Sequence, residues 1–317
     1  LLRGASYGLT AAAIWGGMYV VSDVVLKVIP PYTLLSIRLI VGALVLALVL
    51  AQTKGFNLPR RDVLRLMGVG LIGFGISVGL QFVGTAKASA INGSVVTSAS
   101  PAFILFFAWL LLRERLTTIR IAAVTLASIG VLIILDLSKF DLSSQKFIGN
   151  LALAGAAVTW ALYSVLVRKV SADYGTVTIT FFALLGGLCL TLPAGVLELQ
   201  TETIKPITTG VVLGILYLGV ISTAVAMFLW NRAFALVEAS IASLFFFAQP
   251  LVGVVLSNLL LNQPITPELI LGGALIIAGV LLSMLRLNRT PVKGRAAENS
   301  ILHQGISESD KPPSPSL

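Results

Sequence analysis

Apolar residues fill this chain in long unbroken runs of about 20 residues, separated by short polar stretches that hold most of the charge. Runs of that length are read as helices crossing a bilayer, and nothing alternates with the two-residue period of a membrane β-barrel. Ten spans are predicted, at about 7–28, 32–51, 63–83, 88–112, 119–135, 147–167, 177–197, 210–230, 237–261 and 267–287. The polar stretch Asp136–Lys146 is the longest break in the middle and reads as a joint between halves, 1–137 and 145–288. Residues 289–317, rich in Ser, Pro and charge, are expected to form a disordered tail on the cytoplasmic side.

The second half repeats the first. Shifted by 149 positions, Pro101 falls on Pro250, Leu110 to Leu112 on Leu259 to Leu261, and Thr117 on Thr266. Fourteen of the 49 positions from Gly84 to Leu132 are identical to their partners. Two unrelated apolar helices would share about one in ten, so the excess argues for an internal duplication. Five spans per half is an odd number. The second half then enters from the opposite side, and the expected fold is all-α, ten transmembrane helices in two inverted five-helix repeats.

Composition agrees. The chain of 317 residues is 57% hydrophobic and only 11% charged, too few charges to cover a water-facing surface. Its formal net charge of +9 does not point to nucleic acid, because the basic residues lie in loops and the tail. With the ten spans in place, 16 of the 22 Lys and Arg fall on the side of both termini and 5 on the other; Arg38 lies inside a span. That bias puts both termini in the cytoplasm of a cell that carries the protein in its inner or plasma membrane. The first run is read as the first span, not as a cleavable signal. Cys189 is the only cysteine and His303 the only histidine, so neither a disulfide framework nor a Cys/His metal site is expected, and no cofactor.

Candidate chemistry gathers inside the spans. Pro101 and Pro250 interrupt equivalent spans at mid-depth and are expected to kink their helices there, and the backbone polarity they free must face protein or a water-filled cavity. Thr97 sits one turn before Pro101, and Ser100 and Gln249 directly precede the two prolines. Aromatic and amide side chains recur nearby: Trp15, Tyr19, Gln81, Asn92 with Ser94, Trp160 and Tyr163. These are the candidate solute-binding residues. Asp23 and Arg38 lie seven residues from Pro30 and Pro31, about 10 Å inside the outer ends of adjacent helices, and are expected to pair because an unpaired charge there is costly. Trp230 is expected at the membrane interface.

The pattern Ala13-Ile-Trp-Gly-Gly in span 1, Arg38 in span 2, Ala90 with Ser100-Pro101 in span 4 and Leu112-Arg-Glu-Arg-Leu-Thr at its end resembles the EamA family of the drug/metabolite transporter superfamily. The resemblance implies a ten-helix inverted-repeat carrier with a central cavity ringed by helices 1, 3, 4, 6, 8 and 9. It also implies an exporter of amino acids or related metabolites. One position departs from the family pattern: Glu114 has Gln263 as its counterpart, so a symmetric pair of acidic gates is not expected. Glu114 is read instead as a helix-end ion pair. No glutamate stands in span 1, so the proton coupling of the small multidrug branch does not carry over.

The expected function is a secondary transporter of small organic solutes, neutral, zwitterionic or amphipathic, working by alternating access. A facilitative pore-like permease is the alternative, and a sugar-phosphate or nucleotide exchanger fits less well, since phosphate calls for several cavity bases. An enzyme is not expected, because the spans hold no histidine and no acidic cluster. The expected partners are the small-molecule substrate, the lipid bilayer and protons as a candidate coupling ion. The protein is expected as a monomer or weak dimer.

Overall fold

The computed structural model describes residues 2–52, 58–87, 96–97, 99–134, 144–249, 251–252 and 267–285. The chain runs through α1 (Leu2–Leu26), α2 (Pro31–Ala51), α3 (Arg60–Lys87), α4 (Ser100–Leu112) and α5 (Thr118–Ile134). It continues through α6 (Ser144–Val170), α7 (Thr176–Glu198), α8 (Thr209–Leu236), the short α9 (Ala239–Ala242) and α10 (Pro267–Leu285). Every described element is helical, and six of them are long and apolar enough to cross a membrane. Pro30 and Pro31 make a sharp start for α2, with Pro31 in the first turn, where a missing N–H leaves no bond unmade. Apolar side chains such as Leu44, Leu48, Leu151, Leu213 and Ile270 point outward, as a lipid-facing surface requires.

Two helices depart from regular α geometry at matching places. In α3 a π segment spans Leu71–Ser77, and in α8 another spans Tyr217–Val225. A shift of 149 carries the first onto 220–226. Wide π turns are uncommon and tend to mark functional regions. Near the two prolines the chain is also irregular. The described helix α4 begins at Ser100, so Pro101 stands in its first turn, an interruption of the span and not a bend within it. In the second half a 3₁₀ segment, Ser243–Phe247, precedes Gln249. Asn92, Ser94, Pro250, residues 135–143 of the joint and the tail 289–317 lie outside the described residues.

The two sequence halves are interleaved. α2 packs along α7, α1 along α8, and α3 along both α6 and α7. Glycines permit these approaches. A Cβ on Gly70 would lie 1.9 Å from the Ala183 carbonyl oxygen, and one on Gly186 would lie 1.9 Å from that of Met67. The α5–α10 crossing has a further property. A Cβ on Gly130 would meet Gly272 and Ile276, while a Cβ on Gly279 would meet Ala123 and Ala127. Each of these residues in the second half is its first-half counterpart shifted by 149. The contact is therefore isologous, as across a two-fold axis. Leu105, Val124, Leu244, Phe247 and Ile276 close an apolar cluster around it.

Two carboxylates hold helix starts in the same manner. Glu198, at the end of α7, accepts from the backbone N–H of Tyr32 (3.2 Å) and Thr33 (2.8 Å) and from the Thr33 hydroxyl (3.0 Å). Glu114 accepts from the N–H of Ala239 (2.8 Å) and Ser240 (3.1 Å) and from the Ser240 hydroxyl. Each anion satisfies donors that a helix start leaves open, and it meets the positive end of the helix dipole. Arg120 completes the second latch, 3.9 Å from Glu114 and bonded to Glu238. The partner of Glu114 is thus Arg120 of α5, and the latch ties the end of α4 to the start of α9. Glu198→Gln is expected to cost about 1–2 kcal/mol, because one acceptor oxygen and the charge are lost together. Thermal unfolding in detergent micelles measures it.

Candidate functional site

A cavity lies among α1, α2, α3, α4, α6, α8 and the 3₁₀ segment before Gln249. Its empty volume, with the open solvent at its mouth included, is about 410 Å³. Sequence-equivalent positions converge on it. Thr97 and Phe246 both line it, as do Ser100 and Gln249, and Val78 and Met227; each pair is separated by 149. Trp15 and Trp160, in the first helix of each half, meet edge to face with ring centroids 5.4 Å apart. Aromatic pairs favour this geometry because ring edges are positive and faces negative.

Hydrogen bonds position the wall from behind. The Trp15 indole N–H donates to the Ser222 carbonyl (3.0 Å) in the π segment of α8. Tyr19, one turn along α1, is buried, and its hydroxyl joins three helices. Gln81 donates to it through Nε2 (2.7 Å), and it shares a hydrogen with Thr97 (3.0 Å). Ser77 donates to the Ala156 carbonyl (2.8 Å), linking α3 to α6.

Arg38 enters from α2 and is 1% exposed. Its Nε donates to the Thr223 hydroxyl (2.8 Å) and its Nη2 to the Ser222 hydroxyl (3.4 Å), while Nη1 meets the Met18 sulfur (3.5 Å). The guanidinium lies over the Phe82 ring at 5.4 Å. Among the described residues no carboxylate lies within 4.0 Å of it. The Asp23 side chain, its expected partner, lies outside the described residues.

Three wall atoms are buried without a hydrogen-bond partner among the described residues: Trp160 Nε1, Ser100 Oγ and Gln249 Oε1. A buried polar group left unmatched costs about 1–3 kcal/mol, so native folds rarely keep one idle. Here a donor, an acceptor and a hydroxyl that serves as either line one cavity.

Trp15, Gln81, Thr97, Ser100, Trp160 and Gln249 of the predicted set are thus brought together on the wall, with Tyr19 directly behind. Tyr163 is placed differently. It is fully buried one turn from Trp160, packs on Phe74, and donates to Asn231 Oδ1 (3.0 Å), whose amide donates to Thr180 (2.9 Å). Trp230 corrects its interfacial expectation. α8 runs to Leu236, six residues past the predicted end, which draws Trp230 inside. There it is 0% exposed, packs on Trp15 and Phe246, and donates to Ser164 (3.3 Å). Met18, Ser77, Ala156 and Met227 also line the cavity and were not anticipated. Two carried a usable signal: Ser77 and Ala156 each lie four residues before a predicted site residue, hence on its helical face.

A polytopic helical bundle with a largely apolar cavity, set with a few polar groups and walled by both halves, is the architecture of a membrane transporter, and sequence comparison agrees. The profile of the EamA-like transporter family matches residues 2–136 and again 147–285, and the chain belongs to that family. It is 26% identical over 309 residues to the uncharacterized transporter YetK of Bacillus subtilis (strain 168), covering 94% of this chain and 92% of that protein. It is 28% identical over 281 residues to the uncharacterized transporter YvbV of the same organism, covering 85% and 87%. An uncharacterized transporter of Archaeoglobus fulgidus is 26% identical over 271 residues, covering 84% and 93%. A solved crystal structure of a protein matches the fold with a TM-score of 0.76 at 20% identity, over 90% of this chain and 99% of that one.

Proposed function

We propose that this membrane transporter is a secondary carrier of small organic solutes, exporting amino acids or related amphipathic metabolites by alternating access. The observation that carries the reading is the convergence of equivalent positions from both halves on one cavity, Thr97 with Phe246 and Ser100 with Gln249. Carriers built from inverted repeats bind solute at the repeat interface, beside interrupted helices. The odd number of spans per half and the isologous α5–α10 crossing support the inverted arrangement. The rigid α3–α7 crossing makes a poor hinge plane.

Purified protein in liposomes tests this. Efflux of a preloaded radiolabelled amino acid is expected to saturate with concentration and to accelerate when the same solute is present on the far side. Flux that rises linearly without acceleration favours the facilitative pore.

A further inference from the structure

We infer that Arg38 is the residue that selects the solute, holding a carboxylate at one end of the cavity while the paired tryptophans Trp15 and Trp160 take its apolar body. The inference rests on reading this cavity as the solute site. Three observations lead to it. First, a guanidinium at the level of the spans is costly to bury, and it persists where an anion or a dense hydrogen-bond shell compensates. Here the shell is thin: two hydroxyls, one sulfur and one ring face, with no carboxylate within 4.0 Å among the described residues. Second, Arg38 is part of the cavity wall, so an anion that enters the cavity reaches it. Its planar fork carries five donors and matches a carboxylate with two parallel bonds. Thr223 holds Nε and thereby fixes the plane of the fork.

Third, the wall has the right count of charge. Arg38 is its only ionisable lining residue among those described, so the wall presents one positive charge and no negative one. A monoanionic head balances that charge, whereas a phosphate dianion does not. The idle atoms of the wall supply the rest of the recognition. Gln249 Oε1 accepts from an amino or hydroxyl group, and Trp160 Nε1 donates to an oxygen of the solute. A solute with a carboxylate, a neighbouring donor and an apolar side chain uses all of them.

The test pairs acids with amides of the same shape. Leucine and N-acetyl-leucine carry the carboxylate; leucinamide and N-acetyl-leucinamide lack it. Binding to the protein in nanodiscs is read from quenching of the cavity tryptophans, and flux from reconstituted vesicles. The wild-type protein is expected to bind both acids about tenfold or more tightly than their amides. Arg38→Gln is expected to abolish that preference while retaining amide binding, and Arg38→Lys to keep part of it. Thr223→Val, which preserves the charge and frees the fork, is expected to weaken the acids alone and serves if Arg38→Gln does not fold. Acid preference in binding without any flux would sink the carrier reading and leave the role of Arg38 standing. Saturable flux with equal treatment of acids and amides would do the reverse. A wild-type protein that binds none of the four, or an Arg38→Gln protein that keeps the preference, overturns the inference.

Discussion

Gly70→Ala and Gly186→Ala are each expected to remove most of the folded protein. An alanine Cβ at either place would lie 1.9 Å from a backbone carbonyl oxygen of the partner helix, at Ala183 and at Met67. Backbone cannot step aside as a side chain end can, so the helices must separate, and the contact between α3 and α7 is lost along with its dispersion energy. Overpacking of this kind costs about 3 kcal/mol or more, a large fraction of the net stability of any fold. Gly68, two residues before Gly70 on α3, provides the control. A Cβ there meets nothing within 4 Å. Gly68→Ala is expected to be neutral or to stabilise by about 0.5–1 kcal/mol, since glycine is the poorer helix former. Thermal denaturation read by size exclusion separates the three: loss of the monodisperse peak for the first two, retention for the third.

The second large effect is a split between two tryptophans that touch. Trp15→Ala is expected to cost about 3–5 kcal/mol, because the ring is buried, packs on Trp160, Trp230 and Phe246, and its N–H is bonded to Ser222. Trp160→Phe removes the one indole N–H on the wall that has no partner. It is expected to leave thermal stability unchanged or raised by about 1 kcal/mol while solute affinity falls about tenfold. Stability and affinity moving in opposite directions mark an atom kept for a ligand. If Trp160→Phe lowers both together, the unpaired N–H has no role in binding.

Much of this was legible in the amino-acid sequence, and the reasons are physical. Span length is set by bilayer thickness, so α2, α5 and α7 begin and end within a few residues of their predicted limits. Gln249 and Ser100 could be picked out because a proline follows each, and a proline at mid-depth needs a sheltered surrounding. The π segments could not. Their glycines and small residues read equally well as packing positions, and hydropathy carries no trace of one extra residue per turn. The full length of α8 is hidden for a related reason. Asn231 and Arg232 look like the water-facing end of a span, yet Asn231 is 1% exposed and bonded to Tyr163 and Thr180. A buried amide with both ends satisfied is indistinguishable by composition from a solvated one. The surroundings of Arg38 were likewise hidden, because Met18, Ser222 and Thr223 lie on two other helices and follow no spacing rule relative to it.

The duplicated cavity has one more consequence. Ser100 and Gln249, like Thr97 and Phe246, line one cavity from positions 149 apart, so places that correspond in the two halves now differ in bulk and polarity. A chamber made of two like walls would greet a lopsided molecule in either orientation. Here the corresponding positions are unlike, so the lining offers different chemistry to the two ends of a lopsided molecule. A carrier of the proposed kind, lined in this way, would recognise its cargo as an object with a front and a back.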